Sequence, residues 1–247
     1  MITLLCALLF TDPDAMLSAI QKERDPAIIE RYRLTNDTRI HGVPALYHAL
    51  AAGNAPLVEA LASQTFSNEA DDLLNATPLS WSLLYGRTDM ALWLIDHGVS
   101  VDQQDPINGE TPLIWAVRHR DKTFAEQLLA RKARPEVRDA QGRDALYFAY
   151  HLVDPELVAS LRRAGAEQTE AERLWAESVR FDRIEVIHLL LEAGPPPTTP
   201  VCPYFKWCDE LENPKSLLQL ARYLNRPAIE ALLEKMPADS ESSDREP

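Results

Sequence analysis

The chain has 247 residues, of which 46% are apolar and 26% charged, and this composition excludes a globally disordered protein. Its formal net charge of −13 argues against a general DNA or RNA binder, because neutralising phosphates requires clustered Lys and Arg. The charge favours a basic protein partner, or it serves solubility alone.

The chain begins with an apolar run at residues 2–10 that is too short to span a bilayer. It resembles the core of a signal peptide, but no Lys or Arg precedes it and no small-residue cleavage site follows. We therefore expect a cytoplasmic protein whose residues 1–40 form an N-terminal helical cap, with helices at 14–22 and 26–32. The alternative is a periplasmic protein, if the true start lies upstream and the run belongs to a signal peptide.

A leucine then recurs at a nearly fixed interval. The four copies, spaced 33, 34 and 33 residues apart, are Leu46, Leu79, Leu113 and Leu146. Two copies read Thr-Pro-Leu, at 77–79 and 111–113, and the copy at 144–146 reads Asp-Ala-Leu. Such a period predicts stacked helix-turn-helix units.

The sequence after Leu79 completes the pattern with Gly-Arg-Thr-Asp at 86–89, an apolar run at 91–95 and Gly98. This order of helix, turn, helix and closing glycine resembles the ankyrin-repeat family, in the form of a divergent, stand-alone bacterial member. The resemblance implies an all-α solenoid with short connecting fingers, and a binding surface in place of a catalytic pocket.

The same register divides the rest of the chain. The ankyrin-like repeats are predicted at 41–74, 75–107, 108–140, 141–168 and 169–194, with helices of the first repeat at 45–52 and 55–62. An insertion loop at 195–215, a C-terminal helical pair at 216–236 and a disordered acidic tail at 237–247 follow. Arg120 and Lys132 replace glycines of the family pattern, and a left-handed backbone costs such residues about 1 kcal/mol or more, so we expect different turns there.

The insertion carries three aromatic residues and two of the three cysteines. Insertions in repeat arrays often lie on the binding face, which makes Tyr204, Phe205 and Trp207 candidate contact residues. Cys202 and Cys208 either pair in an oxidising compartment or remain free thiols.

We find no nucleophile–base pair, phosphate loop or metal-ligand spacing in the sequence. An enzyme is therefore disfavoured, and no cofactor or metal is expected. His97, next to Gly98, is best explained as a helix C-terminal residue that bonds to carbonyls.

The candidate site is a stripe of aromatic, basic and histidine side chains. In the family's register, the residues two places after the aligned leucines face the concave groove. The residues one helical turn further along the chain belong to the same stripe. The predicted groove residues are Trp81, Leu84, Tyr85, Trp115, Arg118, His119, Phe148 and His151. Contiguous exposed aromatics of this kind resemble a protein-interaction hot spot. The alternative is that the helices are rotated and the aromatics fill the core.

Charge is also zoned along the chain. Residues 66–110 contain eight acids and one base, whereas residues 111–143 contain eight bases and four acids. The predicted acidic finger surface comprises Asp71, Asp72, Asp102, Asp105 and Glu110. It would steer a basic partner, or it is a solvated face without a role.

Together these features predict a non-catalytic protein-binding module that is monomeric when free. We expect it to occlude or inhibit a protein partner, as an immunity or antidote protein does against a secreted bacterial toxin or effector enzyme. The alternative is a scaffold or adaptor that joins two proteins without inhibiting either, and an enzyme is the third, unlikely class.

Overall fold

The computed structural model of the chain describes residues 12–35, 37–63, 69–166, 171–194 and 217–235. The prediction of an all-α fold is confirmed. The helices are α1 (Pro13–Lys22), α2 (Ile28–Tyr32), α3 (Ala45–Ala52), α4 (Ala55–Ala62), α5 (Pro78–Leu84), α6 (Thr88–Asp96), α7 (Pro112–Arg118), α8 (Lys122–Ala130), α9 (Ala145–His151), α10 (Pro155–Arg163), α11 (Ala171–Arg180), α12 (Ile184–Ala193), α13 (Leu217–Tyr223) and α14 (Pro227–Glu234). A short hairpin, β1 (Arg39–Ile40) and β2 (Val43–Pro44), pairs Arg39 with Pro44.

In each repeat we call the first helix the inner helix and the second the outer helix. The Thr-Pro-Leu triplets start the inner helices α5 and α7 for a local reason. Thr77 accepts a hydrogen bond from Ser80 N (3.0 Å), and Ser80 Oγ accepts one from Thr77 N (2.9 Å), which forms a capping box. Pro78 occupies the first turn, where its missing N–H costs nothing. Leu79 then points into the core and is 1% exposed. The triplet therefore encodes the cap, the first turn and the first core contact of α5.

The turns at Arg120 and Lys132 correct an expectation from the sequence. We expected them to differ from the glycine turns, but both residues take left-handed φ angles, 57° and 64°. At the first turn, Arg120 N donates to Val117 O (3.0 Å) and Asp121 N to Ala116 O (2.9 Å). Gly86 and Arg87 make the same two bonds after α5. Packing of the flanking helices and these bonds hold the backbone in place despite the steric cost.

The N-terminal cap also differs slightly from its prediction. The second cap helix, expected from residue 26, begins at Ile28, because Asp25 Oδ1 accepts the Ala27 N–H (2.9 Å) in a preceding turn. The helices predicted at 45–52 and 55–62 have those bounds in α3 and α4.

The chain forms two compact units, Met1–Gly142 and Arg143–Pro247. Each has its own apolar core: Leu79, Leu113 and Phe124 are buried in the first, and Leu146 and Trp175 in the second. No helix among the described residues is long and apolar enough to cross a membrane. The apolar N-terminal run, the insertion with its three aromatics, the acidic tail and all three cysteines lie outside the described residues.

Candidate functional site

Two hairpin turns of the first unit share one hydrogen-bonding pattern. In finger 1, residues 71–76, Asp71 N donates to Ala76 O (2.9 Å) and Asn75 N to Asp71 O (2.7 Å). In finger 2, residues 105–110, Asp105 N donates to Glu110 O and Gly109 N to Asp105 O, both at 2.9 Å. Asp71 and Asp105 therefore occupy equivalent positions at the start of neighbouring fingers.

Both fingers display an apolar residue at the same place. Leu73 in finger 1 is 73% exposed, and Ile107 in finger 2 is 70% exposed. Finger 2 also lies against the following turn, because Ala140 N donates to Asn108 O (2.9 Å). A Cβ on Gly109 would come within 2.8 Å of Ala140 N, so this close approach requires glycine. Exposed leucine and isoleucine on held turns are available for contact with another molecule.

A cleft of about 490 Å³ lies between finger 2 and the inner helices α5 and α7. Its lining residues are Ala76, Ser80, Leu83, Leu84, Gly86, Asp105, Ile107, Asn108, Glu110, Thr111, Trp115, Arg118 and His119. Six of the residues predicted from the sequence are brought together here: Leu84, Asp105, Glu110, Trp115, Arg118 and His119. Leu84 is 71% exposed. The cleft thus combines apolar surface with a few charged groups, as binding sites commonly do.

Trp115 forms one wall of the cleft and is half-buried. Its ring packs edge-on against Phe124 of the core (6.1 Å between centroids) and stacks on His119 (4.0 Å, 19° between planes). His119 Nδ1 donates to Trp115 O (2.8 Å) at the end of α7. The indole is therefore oriented by contacts on two sides, and a ring held in this way suits a binding contact because little entropy remains to be lost.

Trp93 and His97 repeat this arrangement on the outer helix α6. Their rings stack at 3.8 Å and 16°, and His97 Nδ1 donates to Trp93 O (2.7 Å). The interpretation of His97 as a C-terminal residue that bonds to a carbonyl is confirmed. Trp93 is half-buried like Trp115 but does not line the cleft.

Trp81 and Tyr85 lie together on α5 and at its end, outside the cleft lining. Trp81 Nε1 donates to Tyr47 O (3.0 Å), and its ring lies 5.5 Å from that of Tyr47 and 5.1 Å from that of Tyr85. Trp81 is half-buried and Tyr85 is 53% exposed. Their rings form an aromatic cluster in the same unit, of which Tyr85 is the exposed part.

The charged side chains of the cleft differ in their pairing. Glu110, which is 7% exposed, accepts a hydrogen bond from Arg118 Nη1, so these two charges offset each other. Asp105 is half-buried, and its Oδ2 accepts the Asn108 N–H (3.0 Å). None of the ion pairs among the described residues includes Asp105. Its carboxylate therefore has spare acceptor capacity.

Two further acids of the predicted acidic surface, Asp71 and Asp102, bond to arginines of the first unit. Asp71 accepts hydrogen bonds from Arg39, which hold the pKa of its carboxyl below the ordinary value. Asp102 accepts from Arg134 N (2.9 Å) and Arg134 Nε (2.8 Å). Asp72 is exposed. Asp71 and Asp102 thus each link segments 32 residues apart, about one repeat length, which explains part of the charge zoning in the sequence.

Asp96 forms the same kind of link on the outer helices. Its two carboxylate oxygens accept from Arg131 Nε (2.8 Å) and Arg131 Nη2 (2.9 Å). The hydrogen bond from Arg131 holds the pKa of Asp96 below its ordinary value.

In the second unit, Phe148 and His151 lie on α9 in different surroundings. Phe148 is half-buried, with the Arg143 guanidinium 4.8 Å from its ring centroid. His151 stacks on Tyr147 (4.2 Å) and is half-buried. Both predicted residues are therefore covered in part by neighbours of their own unit.

A polar cluster around Glu177 connects α9 to α11. Tyr147 Oη donates to Glu177 Oε2 (2.8 Å), Arg173 Nε donates to Glu177 Oε1 (3.0 Å), and His151 Nε2 lies 3.4 Å from Glu177 Oε2. Burial acts to raise the pKa of Glu177, but the hydrogen bonds from His151, Tyr147 and Arg173 outweigh it and lower this pKa to about 2. Burial and the bond to Glu177 raise the pKa of Tyr147 well above its ordinary value.

Several residues of the candidate site and its surroundings were missed in the sequence. Leu73 and Ile107 lie in turns, where apolar residues follow no helical period, and the only signal was an apolar side chain next to turn-forming residues. Glu177 was missed because its partners are spread over two helices. Among the described residues, no group of three or more His, Cys, Asp or Glu side chains could hold a metal ion.

Comparison with known proteins identifies the repeat. Residues 79–129 match the family model "Ankyrin repeats (many copies)". The chain is 29% identical over 116 residues to ankyrin repeat and SAM domain-containing protein 6 of Rattus norvegicus, covering 46% of this chain and 13% of that protein. It is 32% identical over 82 residues to a palmitoyltransferase of Lachancea kluyveri, covering 33% of this chain and 11% of that protein. The chain therefore spans a small part of each relative's length.

Solved structures agree at the level of the fold. The human ASB11 ankyrin repeat domain matches with a TM-score of 0.59 and 22% identity, over 90% of this chain and 98% of that one. An ankyrin repeat domain from Acinetobacter baumannii AYE matches with a TM-score of 0.57 and 24% identity, over 76% and 95%. Ankyrin repeats are protein–protein interaction modules and typically lack catalysis. Residues 79–129 therefore carry ankyrin repeats, and the described part of the chain has the fold of an ankyrin-repeat solenoid.

Proposed function

We propose that the cleft between finger 2, α5 and α7 binds a segment of a partner protein, and that this binding occludes or inhibits the partner. The observation that carries the proposal is the cleft itself, in which exposed Leu84 and Ile107 lie beside half-buried Trp115. Large apolar side chains at the centre of a contact, with charged groups around them, are the usual composition of an interaction hot spot.

The neighbouring contacts support a preformed site. Finger 2 is held by its own hydrogen bonds and by the bond from Ala140 to Asn108, and Trp115 is oriented by Phe124 and His119. A partner therefore meets a surface that needs little ordering, which favours affinity.

Site-specific photocrosslinking tests where the partner binds. A photoreactive phenylalanine analogue is introduced at Leu84, at Ile107 or, as a control, at Glu126, which is exposed on α8 outside the cleft. We expect one protein to be crosslinked from positions 84 and 107 and to be absent or much weaker from position 126. A partner captured equally from all three positions, or from position 126 alone, would contradict a cleft site.

The inhibitory role is tested on the partner identified in this way. If the partner is a lytic enzyme or another toxin, an excess of the full chain should abolish its activity, as expected of an antidote. If the partner keeps full activity in the complex, the chain is an adaptor and not an inhibitor.

A further inference from the structure

One carboxylate that lines the cleft takes part in none of the ion pairs that the structure describes. The lining residues that are always charged at neutral pH are Asp105, Glu110 and Arg118. Glu110 and Arg118 form an ion pair, so the cleft carries a local net charge of about −1, located on Asp105. A cationic group that entered the cleft could pair with the Asp105 carboxylate, because none of the described ion pairs includes it.

Finger 1 shows how the equivalent carboxylate is satisfied. Asp71 starts finger 1 as Asp105 starts finger 2, and the guanidinium of Arg39, on the preceding hairpin, donates to both oxygens of Asp71. By analogy, a donor to Asp105 would come from finger 1 or from α5, which follows it. Residues 69–86, which include both, contain no Lys or Arg. Among the described ion pairs, the same position thus has an internal cation at finger 1 and none at finger 2.

Apolar surface adjoins this carboxylate. Ile107 is two residues from Asp105 on the same finger, and Leu84 and Trp115 line the same cleft. Half of the eight acids in residues 66–110 pair with arginines and so are offset, and these are Asp71, Asp96, Asp102 and Glu110, whereas Asp105 keeps its negative charge. An acidic segment would be repelled here, whereas a basic one would be attracted.

We propose that the occupant of the cleft is a peptide segment of the partner that presents an Arg or Lys to Asp105 and an adjacent apolar side chain to Leu84, Ile107 and Trp115. This proposal rests on the proposed function and specifies the chemistry of the partner. Arg fits best, because its planar guanidinium can donate two parallel hydrogen bonds to one carboxylate.

A random twelve-residue peptide library displayed on phage provides the probe. It is selected in parallel on the full chain, on Asp105→Asn and on Glu126→Gln, the control that removes an exposed carboxylate outside the cleft. Asn can still accept the Asn108 N–H, so the turn of finger 2 should persist. We expect the full chain and the control to enrich peptides with Arg or Lys next to an apolar residue, and Asp105→Asn to lose the basic preference.

Synthetic copies of an enriched peptide give the magnitude by fluorescence anisotropy. We expect Asp105→Asn to weaken binding about tenfold or more, as for loss of a charge-assisted hydrogen bond. Replacing the peptide's Arg by Glu should weaken binding to the unmodified chain at least as much as Asp105→Asn does. This measurement does not depend on the folding of a variant.

The outcomes separate this proposal from the proposed function. In one outcome, Trp115→Ala weakens peptide binding, but neither Asp105→Asn nor loss of the peptide's basic residue changes it. This result would contradict the cationic segment and would still support binding in the cleft. Peptides insensitive to Trp115→Ala, or a library from which no peptide is enriched, would overturn both.

Discussion

Asp105 in the first unit and Glu177 in the second are both half-buried carboxylates, but their surroundings differ. Glu177 has Tyr147, Arg173 and His151 within its own unit, whereas Asp105 has the Asn108 amide and an open cleft. A carboxylate whose donors are supplied by the chain contributes to stability. A carboxylate with a single backbone donor keeps acceptor capacity for a partner, so we expect Glu177 to act in stability and Asp105 in binding.

The two regions also differ in how they use tryptophan. Trp175 is 1% exposed and lies in the core of the second unit, whereas Trp115 is half-buried at the cleft.

The largest expected effect is on the buried indole. Trp175→Ala should lower the free energy of unfolding by about 3–5 kcal/mol, because it leaves an internal cavity. Trp115→Ala should cost on the order of 1–2 kcal/mol, since its ring is open to the cleft on one side. Urea denaturation followed by circular dichroism measures both. Equal losses would place Trp115 in the core and remove the aromatic stripe as evidence of function.

A smaller effect is expected at Glu177. Glu177→Gln should lower the free energy of unfolding by about 1–3 kcal/mol at neutral pH, because Arg173 and His151 lose a charged acceptor. The pKa of Glu177 is lowered to about 2 in the folded chain, against an ordinary value of 4.5. Its stabilisation is therefore present above about pH 4.5 and is lost as the pH falls towards 2.

Urea unfolding between pH 7 and pH 2.5 checks this prediction. The difference between the unmodified chain and Glu177→Gln should shrink as the pH falls, while Glu126→Gln should follow the unmodified chain closely. A difference that does not change with pH would show that the cluster is not held by the charge of Glu177.

The smallest effect is expected at Asp102. Its partner Arg134 is 63% exposed at the side chain, and exposed ion pairs contribute about 0–1 kcal/mol. Asp102→Asn should therefore change stability by no more than about 1 kcal/mol and leave peptide affinity unchanged, whereas Asp105→Asn weakens binding. A strong loss of affinity in Asp102→Asn would mean that the acidic surface acts as a whole.

The parts of the fold that could be predicted from the sequence are those encoded locally. The cap at Thr77, the proline after it and the core position of Leu79 lie within three residues, so one alignment locates α5 and its copies. Left-handed turns at Arg120 and Lys132 could not be predicted, because they depend on packing of the flanking helices.

The candidate site was predictable in composition but not in pairing. The sequence grouped Leu84, Trp115 and Asp105 with Asp71 and Asp102 as surface residues. It could not show that Asp71 and Asp102 bond to arginines 32 residues away, because such pairing depends on how successive repeats stack. Nor did it find Ile107, since an isolated apolar residue in a turn carries no periodic signal.

A matched pair of stacked tryptophans decides whether the cleft is the binding surface. Trp115→Ala and Trp93→Ala each remove a half-buried indole that stacks on a histidine four residues later, one lining the cleft and one on the outer helix. We predict that Trp115→Ala raises the Kd for the crosslinked partner roughly 30-fold, equivalent to about 2 kcal/mol, while Trp93→Ala leaves it unchanged. Equal Kd values for the two variants, measured by isothermal titration calorimetry, would contradict binding in the cleft.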